Sequence, residues 1–220
     1  MEFKLNGRVS EFVGALIGDG CLSRYWSNYD KRWRSVVAFT GQWDNDVSYY
    51  KNVIQRISRE EFGCKGYIYH RKDDNSIRFF IENKKLFSWL HFIGLPIGVK
   101  HKIMIPKKIR DNLNLAKTCV RGIFNTDGSV YRRYSKAYGK HTKHYKTYAN
   151  VQFTLKNKNV IKFVSDTLTK SGFRVNRIIS DRDYTVCRIT SQEDVKRFFK
   201  EIVTNNTYHS DRYKKIVKNN

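Results

Sequence analysis

The sequence predicts an α+β protein built from two tandem αββαββα units. The first observation is a repeat: the segment Phe12 to Gly20 aligns without a gap with Val120 to Gly128, so Asp19 and Asp127 hold the same place in two copies, 108 residues apart in a chain of 220. The second is that the helices and strands predicted after each copy follow in the same order. The third is that a period of almost half the chain indicates one duplicated unit, since two copies are too few for a solenoid.

The two units are separated by a connection that contains proline, from Gly94 to Asp111. We expect the boundary near residue 110. This divides the chain into residues 1–110, which include the connection, and residues 111–220, which end in a basic tail.

A hairpin is expected after each motif. Residues Ser35–Phe39 are β-branched, small or aromatic, which favours a strand after the polar stretch Cys21–Trp33. In the second half Ser129–Tyr134 and Tyr148–Leu155 have the same character, and a long basic segment joins them.

A helix is expected after each hairpin, because apolar residues recur at near-helical spacing. These residues are Val47, Tyr50, Ile54 and Ile57 in the first half and Val160, Phe163, Val164 and Leu168 in the second. Side chains within Asp44–Asp46 and Asn157–Asn159 are expected to cap these helices.

Each unit is expected to end in two short strands and a helix. The strands are predicted at Tyr67–Tyr69 with Ile77–Phe79, and at Arg174–Val175 with Val186–Ile189, with turns of Asp and Asn between them. The closing helices carry Leu86, Phe87 and Leu90, or Val195, Phe198 and Phe199.

The motif segments themselves carry small residues four apart, Gly14 with Gly18 and Gly122 with Thr126. Such spacing gives a helix a flat strip against which a second helix backbone packs closely. Two motif helices packed about a pseudo-two-fold axis would bring Asp19 next to Asp127. Adjacent carboxylates repel unless a cation or proton lies between them, and oxygen ligands favour Mg²⁺.

A glycine follows each aspartate, at Gly20 and Gly128. We expect these glycines to let the chain leave the helix through a conformation that is costly for other residues. An isolated Asp-Gly pair is typical of an ordinary turn, whereas two pairs at the same place in aligned repeats indicate a composite site.

The charge of the chain points to a polyanionic partner. There are 43 Lys and Arg residues against 20 Asp and Glu, a formal net charge of +23. Basic clusters recur along the chain, so the folded body itself is expected to be the binding surface. They include Lys31–Arg34, Lys107–Lys108, Arg132–Arg133 and Lys140–His144.

The sequence also bears on location and redox state. No apolar run approaches the ~20 residues needed to span a bilayer, and the start of the chain lacks a secretory signal. We therefore expect an intracellular protein, cytoplasmic or organellar, that binds no membrane. The four widely spaced cysteines are expected to be reduced thiols.

These motifs and the element order resemble the LAGLIDADG family of homing endonucleases, specifically single-chain members in which two motifs form a pseudo-dimer. The resemblance covers nearly the whole chain and implies a saddle of two curved antiparallel sheets over DNA, with the motif helices at the centre. It also implies a monomer that makes a double-strand break in a long duplex target by metal-dependent phosphodiester hydrolysis. The metal would be Mg²⁺, for which Mn²⁺ could substitute.

The resemblance assigns roles to several residues. Asp19 and Asp127 would be the catalytic, metal-binding acids, aided by the main-chain carbonyls of Gly18 and Thr126. At the earlier acidic position of the family motif this chain has Ile17 and Asn125, which leaves one carboxylate in each copy.

Further active-site candidates come from outside the motifs. A Gln or Lys near the end of the second strand of each unit matches Gln42 and Lys156, although Leu155 is an alternative counterpart of Gln42. The connection would supply a basic residue, either Lys100 or Lys102. A solvated surface charge is the alternative reading of each of these three lysines.

Sheet residues would read the DNA in its major grooves, where Arg pairs with guanine and Gln with adenine. About half of the candidates are expected to touch DNA, many of them at phosphates. They are Arg24, Arg32, Arg34, Arg71, Arg78, Arg132, Arg133, Gln152, Arg182 and Arg188.

Two other functions remain compatible with this reading. One is an RNA-binding maturase that assists splicing of the intron that encodes it, and the other is a DNA-binding regulator without cleavage. The presence of both Asp19 and Asp127 favours the nuclease. The absence of flanking protein-splicing segments favours an intron-encoded enzyme over an intein, and a regulator would need an added DNA-binding domain.

Overall fold

The computed structural model describes residues 3–100, 103–136, 142–202 and 205–218. In the first unit the motif helix leads into a four-stranded sheet and its covering helices. Its elements are α1 (Gly7–Gly18), β1 (Gly20–Ser27), β2 (Arg32–Gln42), α2 (Trp43–Tyr49), a π-helical turn (Tyr50–Ile54), α3 (Gln55–Phe62), β3 (Tyr67–Arg71), β4 (Ser76–Glu82) and α4 (Lys84–Phe92).

The second unit repeats this order after a short helix in the connection, and one further helix follows it. The elements are α5 (Lys107–Arg110), α6 (Leu113–Asp127), β5 (Gly128–Lys136), β6 (Thr142–Leu155), α7 (Lys158–Lys170), β7 (Ile179–Asp181), β8 (Tyr184–Ile189), α8 (Gln192–Glu201) and α9 (Thr207–Lys218). The predicted αββαββα order is therefore present twice.

The two sheets have the same antiparallel topology, β1-β2-β4-β3 and β5-β6-β8-β7. Gly20 pairs with Phe39 in the first sheet, and Gly128 pairs with Phe153 in the second. The two glycines hold the same place in the two units, so Phe39 of β2 and Phe153 of β6 are equivalent. Other positions in β2 and β6 can be matched by counting from these phenylalanines.

One face of each sheet is buried under helices. Phe39 and Phe79 pack from the first sheet, and Phe153 from the second, and all three are inaccessible to solvent. Burial of such large apolar side chains contributes about 1.5–3 kcal/mol each. The opposite face of each sheet carries polar and charged side chains and is open.

The motif helices α1 and α6 pack against each other at the centre, and the contact requires glycine. A Cβ on Gly14 would lie 2.0 Å from the carbonyl oxygen of Cys119, and one on Gly122 would lie 2.1 Å from that of Glu11. Ser10 Oγ also donates to Leu115 O at 2.7 Å. The predicted close approach of the two backbones is confirmed.

Gly20 and Gly128 are required for a different reason from the one expected. Neither has a positive φ. Instead, a Cβ on Gly20 would lie 2.3 Å from Leu16 Cδ1, and one on Gly128 would lie 2.4 Å from Phe124 O. The constraint is space against the last helical turn, because the chain reverses directly into a strand.

Two predicted elements differ from the structure. The short strand expected to begin at Arg174 is β7, which begins five residues later, because Arg174 instead pairs with Asp194 at the start of α8. The cap of α2 also differs: Gln42 is the N-cap residue, and Asp46 Oδ2 reaches back to accept its N–H at 2.8 Å. Asn157 caps α7 as expected.

Other observations concern the tail, the thiols and membrane spans. The segment from Thr207 to Lys218 forms α9, packed on β5, β6 and α2. The four cysteines are unpaired, and three of them are buried. Within the described part of the chain, no helix has the length and apolar character needed to cross a membrane.

Candidate active site and nucleic-acid interface

The C-terminal ends of α1 and α6 lie side by side. A Cβ on Gly18 would lie 2.0 Å from Thr126 Oγ1 and 2.8 Å from Asp127 Oδ2. Asp19 ends α1, its N–H donating to Ala15 O, and Asp127 is the last residue of α6. The two candidate acids are therefore adjacent.

Both carboxyl groups are half-buried and electrostatically coupled. Burial raises the pKa of Asp19 to about 8, and the charges of Asp127 and Asp46 contribute to the rise. Burial raises the pKa of Asp127 to about 6. The Lys100 ammonium opposes both shifts. In the free protein near neutral pH the pair therefore retains part of its protons, which a bound cation would displace.

The connection between the units brings Lys100 to the same point. Leu22 of β1 forms an isolated bridge with Ile97, and Gly98 N donates to Leu22 O at 2.7 Å. This pairing leads the chain to the end of α1, where Lys100 Nζ donates to Ile17 O at 2.8 Å and also to the carbonyl of Gly18. Burial lowers the pKa of Lys100, whereas Asp127 and Asp19 raise it.

The donor set at the helix ends fits a hard cation. It combines two carboxylates with carbonyls of the last helical turns, which have no partner within their helix. The Lys100 ammonium already lies against the carbonyls of Ile17 and Gly18, so the end of α1 attracts positive charge. In the described residues there is no group of three or more His, Cys, Asp or Glu side chains suited to metal binding. Asp19 and Asp127, with the carbonyls of Gly18 and Thr126, are thus the candidate ligands.

The register identifies the counterpart of Gln42. Gln42 lies three residues after Phe39, and Lys156 lies three residues after Phe153, so Lys156 and not Leu155 is the equivalent position. Gln42 ends β2 and lines the same cavity as Asp19, whereas Lys156 Nζ lies 5.5 Å from the centre of the Tyr184 ring. Lys102 lies outside the described residues.

A cavity of about 310 Å³ adjoins Asp19 on the side of Gln42. It contains two groups that sequence reasoning missed: Asp46, and the first turn of α9. Tyr50, whose hydroxyl lies 3.4 Å from Asp19 Oδ2, was expected only as a core residue. The repeat does not mark Asp46. Asp46 lies seven residues after Phe39, and at the equivalent position, seven residues after Phe153, the second unit has the apolar residue Val160. The cavity is lined by Asp19, Gly41, Gln42, Asn45, Asp46, Thr126, Gly128, Tyr208 and His209.

The open face of the first sheet carries several candidate DNA-binding residues. Arg71 and Arg78 line a surface cavity of about 360 Å³ together with Tyr69 and Thr40. Arg34 shares this face, but it is held by ion pairs to Asp30 and Glu82.

The two other candidate arginines of this sheet lie on opposite faces. Arg32 shares the open face with Arg34, is more exposed and also pairs with Glu82, at 3.3 Å. Arg24 is paired with Ser35, and by alternation both residues belong to the same face of the sheet as the buried Phe39. The Arg24 guanidinium lies over the Trp33 ring. Alternation along β1 therefore turns Arg24 away from the open face.

The open face of the second sheet carries Gln152 and Arg188 side by side. Gln152 Oε1 accepts from Arg188 Nε at 2.6 Å and from Tyr131 Oη at 3.0 Å. Arg188 also lines a groove of about 270 Å³ that includes Arg177. Arg177 was missed because it lies after the strand expected at Arg174–Val175, in a segment to which no element or motif was assigned.

The remaining candidates lie near turns and irregular strand positions. Arg132 is paired with Ala149, and by alternation both residues belong to the same face of the sheet as the buried Phe153. The strand pairing then shifts register between Arg132 and Tyr134. Arg133 falls at that shift. Arg182 has a positive φ in the turn between β7 and β8.

The paired motif helices and the two sheets define a LAGLIDADG fold. Among solved structures the chain is similar to I-DmoI in complex with DNA and Mn, with 20% identity over 90% of this chain and 97% of that one, at a TM-score of 0.64. It is also similar to the N-terminal LAGLIDADG domain of DUF199/WhiA, with 15% identity over 94% and 88% of the two chains, at 0.55.

Full-length DUF199/WhiA from Thermatoga maritima is similar over 96% of this chain and 59% of that one, with 14% identity and a TM-score of 0.56. The chain thus spans little more than half of that protein. No protein-family model matches the chain, and no curated protein shows a significant match.

Proposed function

We propose that the chain is a homing endonuclease that cuts both strands of one long duplex site by metal-dependent phosphodiester hydrolysis. The observation that carries this proposal is the adjacency of two half-buried carboxylates at the ends of α1 and α6, between two sheets with open polar faces. Further support comes from the similar I-DmoI structures, which were solved with target DNA and with Mn, Ca or Mg.

Asp19 and Asp127 would hold the divalent cation in their ionised form, with the carbonyls of Gly18 and Thr126 as additional ligands. Mg²⁺ suits this oxygen-rich set, and Mn²⁺ would substitute. A divalent cation there would neutralise charge on the scissile phosphate and on the leaving 3′ oxygen. Both acids release protons when the cation binds, because burial raises the pKa of each in the free protein.

Support for Lys100 as the basic residue of the site comes from its charge, which acts on both acids. Its ammonium, fixed by the carbonyls of Ile17 and Gly18, would favour the negative charge that builds on the phosphate. Gln42 and Lys156, at equivalent positions of the two sheets, would orient water near the scissile phosphates. The open sheet faces would bind successive major grooves, with Arg71 and Arg78 on one side and Gln152 and Arg188 on the other.

One chain would suffice for both cuts, since it contains two units, 1–110 and 111–220, and both acids. We propose a monomer that is encoded within an intron. Because phosphate contacts dominate nonspecific affinity, the net charge of +23 would support binding to any duplex, while base contacts would select the site.

The test is selection of cleaved sites from a randomised duplex library, with and without Mg²⁺. The expected result is one family of long sites cut on both strands only when Mg²⁺ is present. Asp19→Asn and Asp127→Asn should each abolish double-strand cleavage and retain binding of the selected site in Ca²⁺. Asp166→Asn, an exposed carboxylate on α7 that pairs with Lys162, is the matched control and should cut normally. Full cleavage by Asp19→Asn would overturn the assignment.

A further inference from the structure

After the last helix of each unit, the chain returns to the end of a motif helix. After α4, Lys100 donates from Nζ to Ile17 O at 2.8 Å. After α8, Asn206 donates from Nδ2 to Asn125 O at 3.1 Å. Ile17 and Asn125 hold the same place in the two copies of the motif. Asn206 therefore occupies, at the end of α6, the position that Lys100 occupies at the end of α1.

Asn206 is inaccessible to solvent, and both polar atoms of its side chain form hydrogen bonds. Its Oδ1 accepts from Tyr208 N at 3.0 Å, which caps the first turn of α9. Its Nδ2 donates to Asn125 O and also to Asp46 Oδ1, at 3.2 Å. The other oxygen of Asp46 accepts from Gln42 N at 2.8 Å. A continuous set of hydrogen bonds thus joins the last turn of α6, through Asn206 and Asp46, to the backbone of Gln42.

Helix α9 fixes the orientation of Asn206. The Tyr213 ring stacks on Phe199 of α8, with centroids 4.1 Å apart, and the His209 ring lies 4.8 Å from Phe124 of α6. Tyr208 and His209 also line the cavity that contains Asp19 and Gln42. The C-terminal segment is therefore a wall of the candidate site as well as a cover for the second sheet.

Asn205, the residue just before Asn206, forms hydrogen bonds to a different part of the helix pair. Asn205 Nδ2 donates to both carboxylate oxygens of Glu11, at 2.9 and 3.1 Å. Glu11 lies two turns before Asp19 on α1, where it pairs with Arg121. Asn205 thus contributes to the centre of the helix interface, whereas Asn206 contributes to its catalytic end.

We propose that Asn206 is a positioning residue for cleavage, which holds the end of α6, with Asp127, and the Gln42 backbone in register with each other. This inference rests on the proposed function. Buried hydrogen-bonded networks of this kind lose their geometry when a donor is removed, and a displacement of about 1 Å at a reacting group can lower a rate about 100-fold.

The test compares variants of the full chain on the selected target. Asn206→Asp keeps the oxygen that caps α9 but removes both donated hydrogen bonds and adds a charge beside Asp46. We expect its single-turnover cleavage rate constant to fall about 10- to 100-fold, while the Kd for the target in Ca²⁺ changes less than about two-fold, because Asn206 is inaccessible to solvent. In the double variant with Asp46→Asn, the amide at position 46 can donate to the carboxylate at position 206. The hydrogen bond between the two side chains is thereby restored, and part of the lost rate should be recovered.

Two further measurements exclude a general loss of stability. Asn205→Ala should lower the unfolding temperature yet cleave at the normal rate, since Asn205 contacts Glu11 and not the site. Amide exchange followed by NMR should show the Gln42 N–H exchanging at least about 10-fold faster in Asn206→Asp than in the wild type.

The outcomes separate the two proposals. Absence of cleavage by the wild type on every duplex refutes the proposed function, and the Gln42 exchange rate still tests the hydrogen-bonded link. The inference is overturned if Asn206→Asp cleaves like the wild type, if Asn205→Ala is equally slow, or if Gln42 exchange is unchanged. If Asn206→Asp does not fold, Asn206→Ser, which retains a capping oxygen, is measured by the same criteria.

Discussion

Glu11 on α1 and Arg121 on α6 form an ion pair across the interface of the motif helices. Arg121 Nη2 lies 2.7 Å from Glu11 Oε2, and the Glu11 side chain is 2% exposed. Tyr49 Oη and Asn125 Nδ2 approach the other carboxylate oxygen at 3.4 and 3.3 Å. Because water has almost no access to this carboxylate, its charge depends on these protein partners, and the pair links the two units at their centre.

Replacing Arg121 with Met should therefore leave a buried charge without its cation and lower the free energy of unfolding by about 3–5 kcal/mol. Urea denaturation measures the change. The control is Arg8→Met, because Arg8 and Glu60 form an ion pair in which both side chains are 39% exposed, and such pairs contribute about 0–1 kcal/mol. Equal losses for the two variants would contradict a special role for the buried pair.

Gly14→Ala should disrupt the helix pair, since its Cβ would lie 2.0 Å from the Cys119 carbonyl oxygen, a backbone atom that cannot rotate away. The expected loss is about 1–3 kcal/mol or more. Gly7→Ala is the matched control in the same helix: its Cβ would meet Thr118 Cγ2 at an ordinary 3.5 Å. Thermal unfolding should show a lower Tm for the first variant and little change for the second. The close-packing interpretation fails if both alanines are tolerated.

Stability should depend on pH through the paired acids. In the folded protein the pKa of Asp127 is raised to about 6 and that of Asp19 to about 8, from 3.8 in the unfolded chain. Their protonation favours the folded state, so this contribution is complete below pH 3.8 and is lost as pH rises through 6 and 8. Asp19→Asn should remove part of this loss and raise the Tm at pH 8 in EDTA, by about 2–4 °C for each kcal/mol gained.

Calorimetry at pH 5 and pH 8 measures the effect, with Asp166→Asn as the control for an exposed carboxylate. The difference in Tm between Asp19→Asn and the wild type should be larger at pH 8. The same difference at both pH values would show that folding does not raise the pKa of Asp19.

Divalent cations should have the opposite effect from rising pH. Ca²⁺ binding to the ionised pair should raise the Tm of the wild type, more at pH 8 than at pH 6, because protons compete for the carboxylates. Isothermal titration in two buffers of different ionisation enthalpy should report proton release. Asp19→Asn and Asp127→Asn should show little stabilisation by Ca²⁺. A similar rise in these variants would locate the cation elsewhere.

Arg78 is exposed on the open face of the first sheet, and its replacement should weaken DNA binding. Arg78→Ala should lower affinity for the selected site and reduce the slope of log affinity against log salt by about 1 if it contacts a phosphate. Fluorescence anisotropy at several salt concentrations in Ca²⁺ measures both. Arg56→Ala, on helix α3 and paired with Glu60, removes the same charge from the helical side and should have a much smaller effect. Equal effects would mean that total charge, and not the open face, controls binding.

Local patterns were sufficient to predict the duplicated architecture. The repeat, the spacing of small residues and the alternating apolar residues predict two αββαββα units with the ends of α1 and α6 together, as the structure shows. Local patterns failed where a long-range partner determines the conformation. Arg174 was expected in a strand, but its pairing with Asp194 holds it in a loop.

The sequence by itself determined the two-unit fold and the adjacency of Asp19 and Asp127, because both follow from residues close together in each repeat. Only the tertiary structure decided which side chains surround them. A one-residue change of register turns a side chain to the opposite face, so the facing of Arg24 and the equivalence of Gln42 and Lys156 required the strand pairing. Asp46 and Asn206 meet across 160 residues of chain, a contact that creates no local pattern because packing of the two units alone brings them together.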